Sequence, residues 1–134
     1  MREGRDPEGW PLYPAFPYTS YTRLTDEDLA ALKAYLDGLP AVAQASRPHE
    51  LRFPFNLRWG LYLWQWLFFA PERFQPDPAR DAAWNRGAYL VNGLGHCAEC
   101  HSPRNFLGGI VASQRFAGGP ALRALWIPDP CACV

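Results

Sequence analysis

Two thiols and an imidazole stand together at Cys97-Ala98-Glu99-Cys100-His101. Two cysteines three apart, with a histidine directly after the second, form the pattern of covalent c-type haem attachment. The chemistry requires this spacing. On a helical turn, positions i, i+3 and i+4 share one face. Cys97 and Cys100 can then each bond a vinyl-derived carbon of one porphyrin, and His101 reaches the iron from the same side as proximal ligand. Ala98 and Glu99 read as free spacers. A bare cysteine pair at this spacing also serves zinc knuckles and thiol redox sites, and it is the adjacent histidine that favours haem. On residue types, the alternative is a metal-binding or dithiol module using His96, Cys97, Cys100 and His101, with Cys131 and Cys133 as further candidates, although adjacent His–Cys and Cys–His pairs make a strained tetrahedral shell.

The elements that must position this motif come from a chain of 134 residues, 49% hydrophobic and 15% aromatic, enough for one compact domain of ordinary size. Thirteen basic residues balance thirteen acidic ones without runs of either sign. No basic face is visible, which argues against a nucleic-acid partner. Two of the four cysteines belong to the motif, and Cys131 and Cys133 stand one residue apart near the C-terminus, a separation that fits disulfide geometry poorly. The opening Met-Arg-Glu-Gly-Arg-Asp has no apolar signal core behind it.

Pro and Gly punctuate an aromatic stretch over residues 1–24, with Trp10, Tyr13, Phe16, Tyr18 and Tyr21, which reads as an ordered surface loop with partly buried rings. Thr25 is a candidate N-cap, followed by Asp26, Glu27 and Asp28 at the positive end of a helix dipole. Leu29, Leu32, Leu36 and Leu39 then form one apolar stripe, stopped by Gly38 and Pro40. Residues 41–56 read as a connector. Residues 57–70 are apolar on nearly every side yet too short to span a bilayer, which takes about 20 residues. Two readings stay open there: a buried core helix, or peripheral membrane contact through tryptophans with Arg58 nearby. A second helix is expected from about Asp81 to Asn92, with Trp84, Ala88 and Leu90 or Val91 facing inward. Gly87 inside it costs about 1 kcal/mol relative to alanine, which suggests close packing against another helix or a ring. Gly93 and Gly95 end this helix just before the motif.

The sequence Arg86-Gly87-Ala88-Tyr89-Leu90-Val91, then Gly93-Leu94-Gly95-His96-Cys97 and Cys100-His101-Ser102-Pro103-Arg104-Asn105, resembles the start of a haem domain in the multi-haem cytochrome c subunits of bacterial membrane-bound dehydrogenases. Leu12-Tyr13-Pro14-Ala15-Phe16-Pro17-Tyr18-Thr19-Ser20-Tyr21 and the Thr25 helix are similar to the end of the preceding domain. Phe53-Pro54-Phe55-Asn56 and Phe74-Gln75-Pro76-Asp77-Pro78 look like the segment between them. The resemblance implies an all-α, cytochrome c-like fold split across two incomplete haem domains. Residues 1–40 would be the C-terminal part of one domain, 41–80 an inter-domain connector carrying the apolar segment, and 81–134 the N-terminal part of a second. It further implies haem c on Cys97 and Cys100, with His101 on the iron. The protein would be an electron carrier and not an enzyme, and a fragment of a larger subunit. Its expected partners are a dehydrogenase catalytic subunit and a neighbouring haem or quinone, at the periplasmic face of the inner membrane. The other reading of the same boundaries is a non-functional truncated remnant.

Relatives of this kind often carry a methionine in the Tyr-Pro-Ala-x-Pro-Tyr loop as the sixth iron ligand, where this chain has Phe16. A phenyl ring cannot coordinate, the only methionine is Met1, and neither methionine nor histidine occurs after His101. His96 reads as a flank, His49 as solvent-exposed, and Arg104 as either a propionate partner or a surface arginine.

Overall fold

Elements rich in Pro and Gly form turns by local hydrogen bonding but bury little apolar surface by themselves, so their core partners come from distant segments. A computed structural model describes residues 1–45, 47 and 49–119 and shows how this is done. The chain divides into two compact units, residues 1–75 and 76–134. The described residues are helix-rich, with isolated bridges at Arg5–Pro11 and Arg104–Ile110 in place of any extended strand.

The first unit contains α1 (Tyr18–Tyr21), α2 (Asp26–Asp37) and α3 (Gly60–Phe68). Its centre is the Tyr18 ring, which is fully buried together with Leu24, Thr22 and Pro11. The stretch over residues 1–24 has partly buried rings, as expected, with Trp10 and Phe16 outward, but through Tyr18 it also supplies the core of this unit. Its rings have partners about fifty residues away, which local composition does not reveal. Trp64 and Phe69 meet Tyr18 edge-on, with centroids at 6.5 and 5.1 Å. Gly4 closes the other side: at φ +60, a Cβ there would lie 2.6 Å from the Tyr18 ring. Polar contacts clamp the same two stretches of chain. Gln65 Nε2 donates to Gly4 O at 2.9 Å, Arg73 Nη1 to Thr22 O at 2.7 Å, and Arg58 Nη2 to Asp6 Oδ2 at 2.9 Å. The hydrogen bond from Arg58 holds the Asp6 carboxyl below the usual carboxylate range, against the opposing effect of burial.

Two of the helices are built as expected locally. Thr25 Oγ1 accepts from Asp28 N at 3.1 Å, capping α2, and Gly38 terminates it. No residue of α2 is buried, and Leu36 and Leu39 are about half exposed. The apolar run of α3 splits between the two open readings. Leu61, Trp64, Gln65 and Phe68 face the unit, while Trp59, Leu63 and Trp66 stand outward at 65%, 57% and 78% exposure. Positions i, i+3, i+4 and i+7 make one face and i, i+4 and i+7 the other. Arg58 turns inward to Asp6 and lies 5.8 Å from the Trp10 ring centroid, so its charge is already partnered.

In the second unit, α4 (Ala82–Asn92) leads to α5 (Ala98–His101) and a 3₁₀ turn at Ala112–Gln114. Asp81 Oδ1 accepts from Trp84 N at 2.7 Å and fixes the start of α4 at the expected place. The inward face differs from expectation. Tyr89 is buried and Ala88 half-buried, whereas Trp84, Leu90 and Val91 are exposed. The reason is polar. Asn85 holds the preceding turn by accepting from Asp77 N at 2.8 Å and donating to Asp77 O at 3.0 Å, and this sets the rotation of the helix. Gly87 consequently faces outward: a Cβ there would meet nothing within 4 Å among the described residues.

Gly4→Ala is expected to destabilise the first unit by about 2 to 4 kcal/mol, combining overpacking against Tyr18 with left-handed backbone strain. Gly9→Ala, at φ +87 with nothing within 4 Å, has only the strain, about 1 to 2 kcal/mol. Denaturant unfolding of the two variants measures the difference. Because the Asp6 carboxyl titrates below its unfolded value, its contribution is full above about pH 4 and is lost as pH falls through the lower folded value. Asp6→Asn is expected to flatten the acid limb of the stability profile.

Candidate functional site

A helix of four residues has almost no stability of its own, since nucleation alone costs roughly 4 kcal/mol at a nucleation constant of about 10⁻³. The turn at Ala98–His101 is accordingly held from both sides. Upstream, the chain reverses out of α4 through Gly95 N to Leu90 O at 2.7 Å and Cys97 N to Val91 O at 3.1 Å. Gly95 is required for this approach: a Cβ there would lie 2.9 Å from Leu90 O and 3.2 Å from Cys97 Sγ. His96 adopts a left-handed conformation, φ 37, that delivers Cys97 into the helix. Downstream, Gly118 N donates to His101 O at 3.1 Å, and Phe116 N donates to the buried Ser102 Oγ at 3.0 Å.

Within the turn, the Cys97 carbonyl accepts from Cys100 N at 3.3 Å and from His101 N at 3.0 Å. Positions 97, 100 and 101 therefore share one side of a single turn. Both cysteines are free thiols; Cys97 is half-buried, and Cys100 and His101 are exposed. Two thiols and an imidazole displayed this way, neither sulfur consumed in a disulfide, suit the donor set that haem c requires. Among the described residues no three His, Cys, Asp or Glu side chains converge as a metal site. Cys131 and Cys133 lie outside the described residues.

The spacers are not free. Ala98 is 1% exposed, and the Glu99 carboxylate pairs with Arg104. Arg104 also donates to Glu99 O at 2.9 Å and to Gly108 O at 2.7 Å, so it is an internal clamp and not a solvated surface arginine. The spacing to Glu99 was the only signal for this pair. His49 is exposed, with its ring edge-on to Tyr13 at 5.0 Å. Phe16 meets Tyr21 edge-on at 5.5 Å.

No protein-family model matches the chain. Curated relatives do. It is 49% identical over 133 residues to one subunit of the nicotinate dehydrogenase of Pseudomonas putida, covering 93% of this chain and 11% of that protein. It is 49% identical over 121 residues to a diheme cytochrome c-type protein of Cereibacter sphaeroides, covering 90% of this chain and 40% of that one. It is 43% identical over 122 residues to the cytochrome c subunit of a quinone alcohol dehydrogenase of Gluconacetobacter polyoxogenes, covering 90% and 26%. The chain is thus similar over most of its length to cytochrome c subunits of dehydrogenases, as its motifs suggest, and spans 11–40% of the length of the curated relatives it matches.

Gly95→Ala is expected to destabilise the second unit by about 1 to 3 kcal/mol and to change the alkylation rate of Cys97 more than that of Cys100. Thermal unfolding and mass-resolved thiol labelling measure the two effects.

Proposed function

We propose that this chain carries one covalently bound haem c and passes electrons within a dehydrogenase cytochrome subunit. The observation that carries the reading is the single turn on which Cys97, Cys100 and His101 share one side with both thiols free. The similarity to cytochrome c subunits supports it. In this reading Cys97 and Cys100 tether the porphyrin, and the His101 imidazole supplies a lone pair to the iron. The bound group contributes a ferrous–ferric couple tuned by axial ligation and burial. The residues themselves attach, orient and shield, and no substrate is transformed by them.

The same reading makes residues 1–40 the closing part of one haem domain and 81–134 the opening part of the next, with 41–80 between them. Its partners are a dehydrogenase catalytic subunit and a neighbouring haem or quinone, at the periplasmic face of the inner membrane. No helix among the described residues is long and apolar enough to cross a membrane. Peripheral contact through 57–70 is supported by the outward Trp59, Leu63 and Trp66 side chains of the α3 region.

Expression with an added export signal and the haem-attachment machinery tests the reading. The expected product gains the mass of one haem and a c-type reduced spectrum, both absent in Cys97→Ala/Cys100→Ala. Unloaded mass and no spectrum would favour the remnant reading, and tight zinc in place of haem would favour the metal module. Neither methionine nor histidine follows His101 in residues 102–134, so the iron of this chain is expected to be high-spin and to bind added imidazole; a low-spin spectrum without added ligand would refute that open position. Co-sedimentation of the chain with phospholipid vesicles checks the membrane contact, and Trp59→Ser/Trp66→Ser is expected to weaken partitioning about tenfold or more, given the apolar area removed.

A further inference from the structure

A spacer between two attachment cysteines needs only to keep the helical turn, so a largely buried ion pair at that position calls for a cause. The Glu99 side chain is 11% exposed and that of Arg104 22%. Glu99 O is one of the last carbonyls of α5, which have no partner inside the helix. Arg104 Nη2 donates to it at 2.9 Å and also meets the Glu99 carboxylate, while Nη1 donates to Gly108 O at 2.7 Å. One planar guanidinium thus satisfies an orphaned helix-end carbonyl, neutralises the side chain of the same residue, and ties both to the 104–110 loop. That loop is closed by its own contacts, with Asn105 Oδ1 accepting from Leu107 N and Gly109 N at 3.0 Å each. The turn carrying Cys100 is thereby anchored to a loop that is already formed.

We propose that Arg104 is a positioning residue: its fork on Glu99 keeps Cys100 in register with Cys97, so that both thiols of the turn react with one porphyrin. The proposal rests on the haem reading above and concerns how the link is made. The step is redox-neutral. For each thiol, sulfur bonds the vinyl carbon next to the ring, the thiol hydrogen goes to the terminal carbon, and the vinyl double bond becomes single. If Cys100 drifts out of register, the first link still forms through Cys97, and one thiol and one vinyl group remain. Haem mass is the same with one link or two, so the number of alkylatable thiols is the informative readout.

The experiment uses the full chain, exported with the attachment machinery, as wild type, Arg104→Gln, Arg104→Lys and Glu99→Gln. Haem-loaded protein is denatured and alkylated with iodoacetamide, and the label is located by peptide mass. The wild type is expected to carry no label at Cys97 or Cys100. Arg104→Gln is expected to raise labelling of Cys100 in the loaded fraction at least fivefold over background, with a red-shifted reduced absorption maximum from the unreacted vinyl group. Arg104→Lys should fall between the two, because it keeps the charge but loses the fork. Glu99→Gln should stay near wild type, because the main-chain carbonyl and an amide acceptor remain. Amide hydrogen exchange on the unloaded chains gives an independent readout: Cys100 and His101 amides should exchange at least tenfold faster in Arg104→Gln. Doubly linked Arg104→Gln, or lower loading with no Cys100 label, would overturn the proposal and leave the haem reading intact. Failure of the wild-type chain to load would overturn the haem reading and the proposal with it.

Discussion

The Cys97 carbonyl accepts two main-chain hydrogen bonds, from Cys100 and His101, and those bonds make the site. A net contribution of about 1 kcal/mol each cannot offset the cost of nucleating so short a helix. The second unit is arranged to make up the difference. Gly95 brings the chain back under the end of α4, His96 turns it through a left-handed conformation, Gly118 reaches the His101 carbonyl, and Arg104 holds Glu99. Remove these and the three reactive side chains are merely near one another in sequence.

The first unit solves a similar problem with a ring. Its N-terminal stretch lacks long-range regular structure, so the buried Tyr18 takes the place of a helix interface, bracketed by Gly4 on one side and by Trp64 and Phe69 from the α3 region on the other. Gln65 adds a second donor to the Gly4 carbonyl, which also accepts from Leu12 N, and Arg73 donates to the Thr22 carbonyl. In both units, therefore, long polar side chains act as fasteners for segments that contain little secondary structure. The apolar surface left outward on α2, α3 and α4 is what such small units leave uncovered among the described residues.

The distribution of charge follows the same logic. Arg58 and Arg104 each look, in isolation, like cations available to a partner. Arg58 is engaged by Asp6 and lies by the Trp10 ring, and Arg104 by Glu99 and two carbonyls. Any membrane contact by the α3 region would therefore depend on its aromatic and aliphatic side chains more than on Arg58.

What the sequence determined by itself was the helical geometry encoded within three or four residues. The Thr25 cap and the extent of α2, the limits of α4, and the grouping of Cys97, Cys100 and His101 on one turn all follow from i, i+3 and i+4 geometry. Tertiary structure decided what depends on partners far along the chain or on a competition between faces. Tyr18 became a core residue because α3 returns to it, and the outward and inward faces of α3 were separated by that same packing. Asn85 set the rotation of α4 against its apolar pattern, exposing Gly87. Arg104 stands five residues from Glu99 outside any helix, and its clamp forms only with the conformation of the 104–110 loop. Local periodicity records which residues can share a face; which face is covered depends on the contacts that form when distant segments meet.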